Sequence, residues 1–291
     1  MRQTFVDAVS AALDHDPRLA VVTADISRDA FAPARAGHPH RVLNVGIREQ
    51  AMIGVAGGLA LTGLRPVVHT YTPFLVERPF EQIKLDLGHQ DVGAVLVSIG
   101  GSYDDPVWGR THQGPGDVAL LDTLPGWTVH VPGHPDEVAA LLPAALGGDG
   151  RVYLRLSSRQ NATAHPATGR FTVVREGARG TVLAVGPILG NVLAATEGQD
   201  VTVLYASTIR PFDHRGLRAA GHTDIVLVEP YLAGTSAHEV AIAFEDVAHR
   251  LRAVGVRRDS EVRAYGTAEE HDVVHGLDAV GIATTIREFL R

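Results

Sequence analysis

Short, predominantly apolar runs alternate with helix-spaced segments along the chain, and this alternation most constrains the fold. "LAVVTAD" (19–25), "RVLNVG" (41–46), "RPVVHTY" (65–71), "GAVLVSIG" (93–100), "WTVHV" (127–131) and "VYLRL" (152–156) are such runs. Strands apolar along both faces must be buried on both. They therefore predict a mostly parallel sheet with helices above and below it. Between them, Phe5, Val9, Ala12 and Leu13 fall at helical spacing. Further helices are expected over 48–63, around "EQIKLDLG", and from Pro135 to Leu146. Residues 157–180 are polar and irregular, and then the alternation resumes. "TVLAVG" (181–186), "VTVLYAS" (201–207) and "TDIVLVEP" (223–230) read as strands, and 236–254 and 279–290 as helices. The expected fold is α/β, with two α/β/α sandwich domains: 1–157, a linker over 158–171, and 172–291.

The length of 291 residues agrees with two domains of roughly 150 residues each. A net charge of −7 argues against nucleic acid as the main partner. The absence of cysteine removes disulfides, thiol nucleophiles and thiolate metal sites. It fits a reducing compartment, and a cytoplasmic location is the expectation. The N-terminal stretch carries Asp7 and Asp14 within its apolar pattern, which predicts an amphipathic helix rather than a signal peptide. No uncharged run is long enough to span a membrane.

Ligands of such sheets bind beyond the carboxyl ends of the strands. Asp25, Glu49, Tyr71 and the loop after Ile99 lie at such ends. Glu49 heads "EQAMIGVAGGLALTG", a run without further charge. An acid in a first turn is favoured by the helix macrodipole, by about 0.3–1 kcal/mol. It is also where a partly buried carboxylate would face a ligand. Gly54, Gly57 and Gly58 would let another backbone approach the helix closely, at a propensity cost of roughly 1 kcal/mol each. The 100–117 loop is long for a compact sheet and carries His112 in "GRTHQ", a candidate acid or base. Arg159, in "SSRQN", is either a surface cation or a planar fork for phosphate or carboxylate. "GDG" at 148–150 has no asparagine some 25–30 residues on, and reads as a turn. His38 with His40, and His130 with His134, lack carboxylate or cysteine company, so no metal site is expected.

"GIREQAM", "GRTHQ" and "SSRQN", in that order, resemble the transketolase family of thiamine-diphosphate enzymes. "STIRPFD" and "VEPYLAGTSAHEVA" extend the likeness over essentially the whole chain, which is similar to the C-terminal half of a full-length transketolase. The resemblance implies a pyrimidine-binding domain followed by a transketolase C-terminal domain. It gives Glu49 the role of hydrogen-bonding a ring nitrogen of the cofactor's aminopyrimidine and promoting its imino tautomer. Tyr71 and Phe74 match the aromatics of the pyrimidine pocket, and Asp25 an acid near cofactor and substrate. His112 matches a substrate-contacting histidine, and Arg159 an arginine that binds sugar phosphate. The implied reaction moves a two-carbon ketol unit from a ketose to an aldose.

Two positions depart from the family pattern. Gly100 and Trp108 stand where transketolases carry a histidine and an aspartate that recognise substrate hydroxyls or phosphate. The implied substrate is then modified, shorter or less hydroxylated, with Trp108 among the residues lining its site. The GDG…N motif that holds the diphosphate and Mg²⁺ in this family is absent. The resemblance therefore implies a split transketolase, in which a separate N-terminal subunit carries that motif and the two assemble as α2β2. The β-subunit of a 2-oxo acid dehydrogenase and a deoxyxylulose-phosphate-synthase-like enzyme are the neighbouring alternatives, and "FLVERPFEQIK" resembles those families and split forms. A non-catalytic regulatory subunit is a third reading, and the retention of Glu49 and His112 argues against it.

Overall fold

The computed structural model describes every residue from Met1 to Arg291. In its first half, helices α1 (Arg2–His15), α2 (Ala32–Gly37), α3 (Glu49–Leu61), α4 (Phe80–Gln82), α5 (Asp117–Leu121) and α6 (Pro135–Gly147) alternate with six strands. These are β1 (Leu19–Thr23), β2 (Val42–Asn44), β3 (Arg65–Tyr71), β4 (Val95–Ile99), β5 (Trp127–His130) and β6 (Arg151–Arg155). The second half carries β7 (Thr172–Arg175), β8 (Thr181–Val185), β9 (Thr202–Ala206), β10 (Thr208–Arg210), β11 (Asp224–Leu232) and β12 (Arg250–Val256). Its helices are α7 (Leu189–Ala195), α8 (His214–Ala219), α9 (Ala237–Ala243), α10 (Ala268–His275) and α11 (Ala279–Phe289).

The strands form two sheets, ordered β10-β5-β6-β4-β3-β1-β2 and β12-β11-β8-β9-β7. All pairings are parallel except those of β10 with β5 and β7 with β9. β1, β4, β8 and β9 are buried along their whole length, as their predominantly apolar sequences require. The α/β expectation therefore holds. One apolar cluster runs from Met52 and Ile53 of α3 through Val129 to Leu183, Ile225 and Phe244, so the two layers share a core. Separate clusters cover the outer faces, under α1 and α6 and under α7 and α11.

Three expectations change. The helix read over 236–254 ends at Ala243, and Arg250–Val256 is instead an edge strand paired with β11. Its half-buried start, "RLRA", alternates as an edge strand does, and the arginines masked that period. The irregular stretch 157–180 contains β7, an antiparallel edge to β9. "STIRPFD" contributes β10 to the first sheet, where Thr208 pairs with His130. The second half of the chain thus completes the first sheet.

Charged groups join the layers where apolar packing stops. Arg155 and Asp117 are 1% and 0% exposed, and the arginine's Nε donates to Asp117 Oδ2 at 2.7 Å. Tyr153 donates to the same oxygen at 2.6 Å. Arg155 also donates to Ser102 Oγ at 2.7 Å, and that hydroxyl donates to the carbonyl of Pro230. Arg210 of β10 grips Asp122 at 2.5 and 2.8 Å. Buried ion pairs of this kind are costly to break, because the remaining charge is left unpaired.

Candidate active site

The carboxyl ends of β1, β2, β3 and β4 deliver the residues singled out above, as the topology requires. Glu49 is the first residue of α3 and is 3% exposed. Gly57, two turns on, lies so close to the 83–89 segment that a Cβ would meet the carbonyl oxygen of Asp86 at 2.7 Å. The expected close backbone approach is made there, within the chain. Gly58 faces open space.

Glu49 Oε1 accepts a 2.9 Å hydrogen bond from Arg78 Nη1. The same guanidinium lies over Phe74, its Cζ 3.8 Å from the ring centroid. Phe74 sits in a π-helical turn, Pro73–Glu77, directly after β3, a distortion frequent at functional sites. His112 packs edge-on against Phe74 and Tyr71, with centroids 4.9 and 5.5 Å away. Trp108, 62% exposed, lies 5.8 Å from His112. Burial, and then the Arg78 cation, hold the His112 imidazole below its ordinary pKa, which keeps it neutral near pH 7. Tyr71 OH donates to Asp105 Oδ2 at 3.3 Å, and burial followed by that carboxylate raises its pKa.

Asp25 has φ +62° and Ser27 φ +63°, left-handed conformations that are costly outside glycine. Asn44, at the end of β2, holds this turn. Its Oδ1 accepts from the Asp25 N–H at 2.9 Å, and its Nδ2 donates to Asp25 Oδ1 at 2.8 Å. Ser27 Oγ lies 2.8 Å from Nε2 of the buried His69.

The 100–117 loop is anchored by Asp104. That carboxylate accepts from the N–H groups of Gly101 and Ser158, both at 2.9 Å, and from Ser157 Oγ at 2.8 Å. Burial pushes its pKa up to about 6 against those bonds. Arg159 follows in the same segment. Its guanidinium is paired in a two-point grip by Asp272 of α10, with Nη1 to Oδ1 at 2.8 Å and Nη2 to Oδ2. Tyr103 donates to Asp272 Oδ1 at 2.6 Å and packs against both His271 and His275, with ring centroids 5.1 and 5.3 Å away.

The fold thus gathers Glu49, Tyr71, Phe74, His112 and Trp108 in one aromatic-walled cluster. Asp25 lies at the neighbouring strand end. Arg159 is connected through the Asp104 loop and held by an internal acid. Gly100 has φ +70°, and a Cβ on it would lie 2.4 Å from Tyr71 Cδ1, so the tyrosine ring packs directly against the bare backbone there. Sequence reading missed Arg78, Asn44, Asp105 and Asp272. "NVG" at a strand end and the arginine in "FLVERPF" were the available signals. Nothing in sequence linked Asp272 to a loop over a hundred residues earlier.

A buried carboxylate beside an aromatic face suits a planar, N–H-bearing heterocycle, and the arginine already held there is a planar cationic donor. These residues fit an aminopyrimidine. They offer no carboxylate cluster for the metal of a diphosphate.

Residues 1–163 match the transketolase pyrimidine-binding domain family. The chain is 56% identical over 295 residues to an uncharacterized 33.6 kDa protein of the fasciation locus of Rhodococcoides fascians, covering 100% of this chain and 95% of that one. It is 30% identical over 272 residues to a 6-deoxy-6-sulfo-D-fructose transketolase subunit of Clostridium sp. (strain MSTE9), covering 88% and 84%. The solved structure of a split-gene transketolase, an inactive beta4 tetramer, superposes with a TM-score of 0.83 at 25% identity, covering 99% of this chain and 97% of that one. The chain therefore belongs to the transketolase family of thiamine-diphosphate enzymes, and corresponds to the C-terminal subunit of the split form.

Proposed function

We propose that this chain, with a diphosphate-binding partner subunit, transfers a two-carbon ketol unit between a ketose and an aldose. The observation that carries this reading is the buried Glu49 carboxylate at the head of α3, set against the Phe74 face and the Tyr71–His112 wall. Bound thiamine diphosphate supplies the electron sink on which a carbon–carbon bond beside a carbonyl is broken. Glu49 holds the ring nitrogen and moves its proton. Tyr71 and Phe74 wall the pyrimidine, and Asp25 lies at the adjoining rim. His112, neutral near pH 7, holds a substrate hydroxyl or moves its proton. Arg159 recognises a terminal anion in competition with Asp272. Trp108 and Gly100 give the sugar site an aromatic wall in place of two polar groups, which suits a modified or less hydroxylated sugar.

The partner supplies the GDG…N motif, which holds Mg²⁺ and the diphosphate, in an α2β2 assembly. The chain divides into a pyrimidine-binding domain (1–157), a linker (158–171) and a transketolase C-terminal domain (172–291). No helix is long and apolar enough to cross a membrane, and cytoplasmic carbohydrate metabolism is the proposed setting.

The test mixes the chain with its GDG…N subunit. The lone chain is expected to bind thiamine diphosphate weakly and show no ketol transfer, and the mixture to be active. Glu49→Gln keeps the shape, assembles, and loses activity by orders of magnitude. Pyruvate decarboxylation without ketol transfer would move the reading to the 2-oxo acid or deoxyxylulose-phosphate enzymes. Near-normal activity of Glu49→Gln would refute it.

A further inference from the structure

Arg78 makes the two contacts that the proposed function assigns to the cofactor's pyrimidine. Its guanidinium donates to Glu49 Oε1 at 2.9 Å and lies 3.8 Å from the Phe74 ring centroid. No second planar group fits between a guanidinium and a ring face at that distance. A guanidinium resembles an aminopyrimidine in the features this subsite reads: it is planar, weakly hydrated and rich in N–H donors. The two ends of the ion pair differ in burial. The Glu49 side chain is 4% exposed, and that of Arg78 is 42% exposed. The arginine can therefore leave toward water, and the carboxylate cannot. The backbone around Arg78 is held independently of its side chain, since Gln50 Nε2 donates to the Arg78 carbonyl at 3.2 Å.

We propose that Arg78 is a built-in stand-in for the pyrimidine, which holds Glu49 and the Phe74 face in the cofactor-free chain and must vacate both when the cofactor binds. The inference rests on the reading of Glu49 given above. Its physical basis is the cost of a buried carboxylate without a partner. Before the cofactor arrives, something must compensate Glu49, and the planar cation does so. The same compensation lowers apparent affinity for the cofactor, because only the fraction of molecules with Arg78 displaced can bind. Arg78 is thus a positioning residue that sets cofactor affinity.

The test uses the chain assembled with its diphosphate-binding subunit and reads binding and stability in place of turnover. Thiamine diphosphate with Mg²⁺ is titrated calorimetrically into wild type, Arg78→Gln, Glu49→Gln and the double variant, and each is melted without cofactor. Arg78→Gln is expected to melt lower without cofactor. It is also expected to bind thiamine diphosphate about 3- to 10-fold tighter, the order expected for releasing one half-exposed ion pair and a cation–π contact. On the Glu49→Gln background, Arg78→Gln should lose most of both effects. Should Arg78→Gln fail to fold, Arg78→Lys keeps the charge without the planar fork, and it should also bind tighter than wild type. If wild type binds and the Arg78 variants bind equally or more weakly, Arg78 stays on Glu49 beside the cofactor and the stand-in role is refuted, while the cofactor reading survives. If neither wild type nor variant binds thiamine diphosphate, the cofactor reading falls and this inference falls with it.

Discussion

Gly100→Ala tests whether the tyrosine wall of the site is built against bare backbone. Gly100 follows β4 and opens the 100–117 loop with φ +70°. An added Cβ would lie 2.4 Å from Tyr71 Cδ1 and 2.6 Å from Cε1. Two costs follow. A left-handed backbone with an L side chain costs roughly 1–2 kcal/mol. Forcing a methyl group into a packed ring costs roughly 1–3 kcal/mol more, giving a total of about 2–5 kcal/mol. Gly46 provides the control. Its φ is +71°, and an added Cβ there meets nothing within 4 Å. Gly46→Ala should therefore show only the backbone cost. The difference between the two variants, about 1–3 kcal/mol, measures the Tyr71 contact. Urea denaturation should be followed in a Trp108→Phe background. The chain has two tryptophans, so buried Trp127 of β5 is then the single tryptophan that reports unfolding. A Gly100→Ala/Tyr71→Ala double variant should recover the packing part. If Gly100→Ala and Gly46→Ala agree within about 0.5 kcal/mol, the ordinary limit of additivity, the ring yields freely. Position 100 could then take a side chain without rebuilding the site.

Asp117→Ala should destabilise the chain by about 3–5 kcal/mol in the same urea assay, because Arg155 would be left buried and unpaired; Asp117→Asn combined with Arg155→Met should recover part of that loss. Burial lowers the pKa of His69 and of His130 to about 4 in the folded chain. The unfolded chain, with His near 6.5, takes up protons that the fold refuses, so the stability these groups contribute is full above about pH 6.5 and falls as pH drops toward about 4. His69→Gln should flatten that limb in melts recorded from pH 4 to 8, and an unchanged slope would exclude His69 as a contributor. Arg159→Ala should raise KM mainly for phosphorylated sugars, through loss of a contact of about 1.5–3 kcal/mol. Asp272→Asn should lower it by releasing the guanidinium, and equal effects on unphosphorylated sugars would argue against Arg159 as an anion anchor.

The sequence by itself determined the layers and the face on which chemistry gathers. Predominantly apolar runs such as "VLVSI" must be buried on both sides, and that alone implies helices above and below a parallel sheet. Polar residues that close such runs must then fall along one edge, as Asp25, Glu49 and Tyr71 do. Weaker periods failed. β12 opens half-exposed with alternating arginines, and β7 and β10 are short edge strands whose pairing depends on partners distant in sequence. Tertiary structure alone decided who partners whom. Arg78 reaches Glu49 and Phe74 from the end of a π-helical turn, and local propensity carries no sign of that turn. Asp272 meets Arg159 across 113 residues of chain. Gly100 reads in sequence as a missing histidine, but in space it is the surface on which the Tyr71 ring lies. The physical reason is common to these cases. Burial patterns are periodic and so are written locally along the chain, whereas ion pairs and ring contacts depend on where distant segments meet.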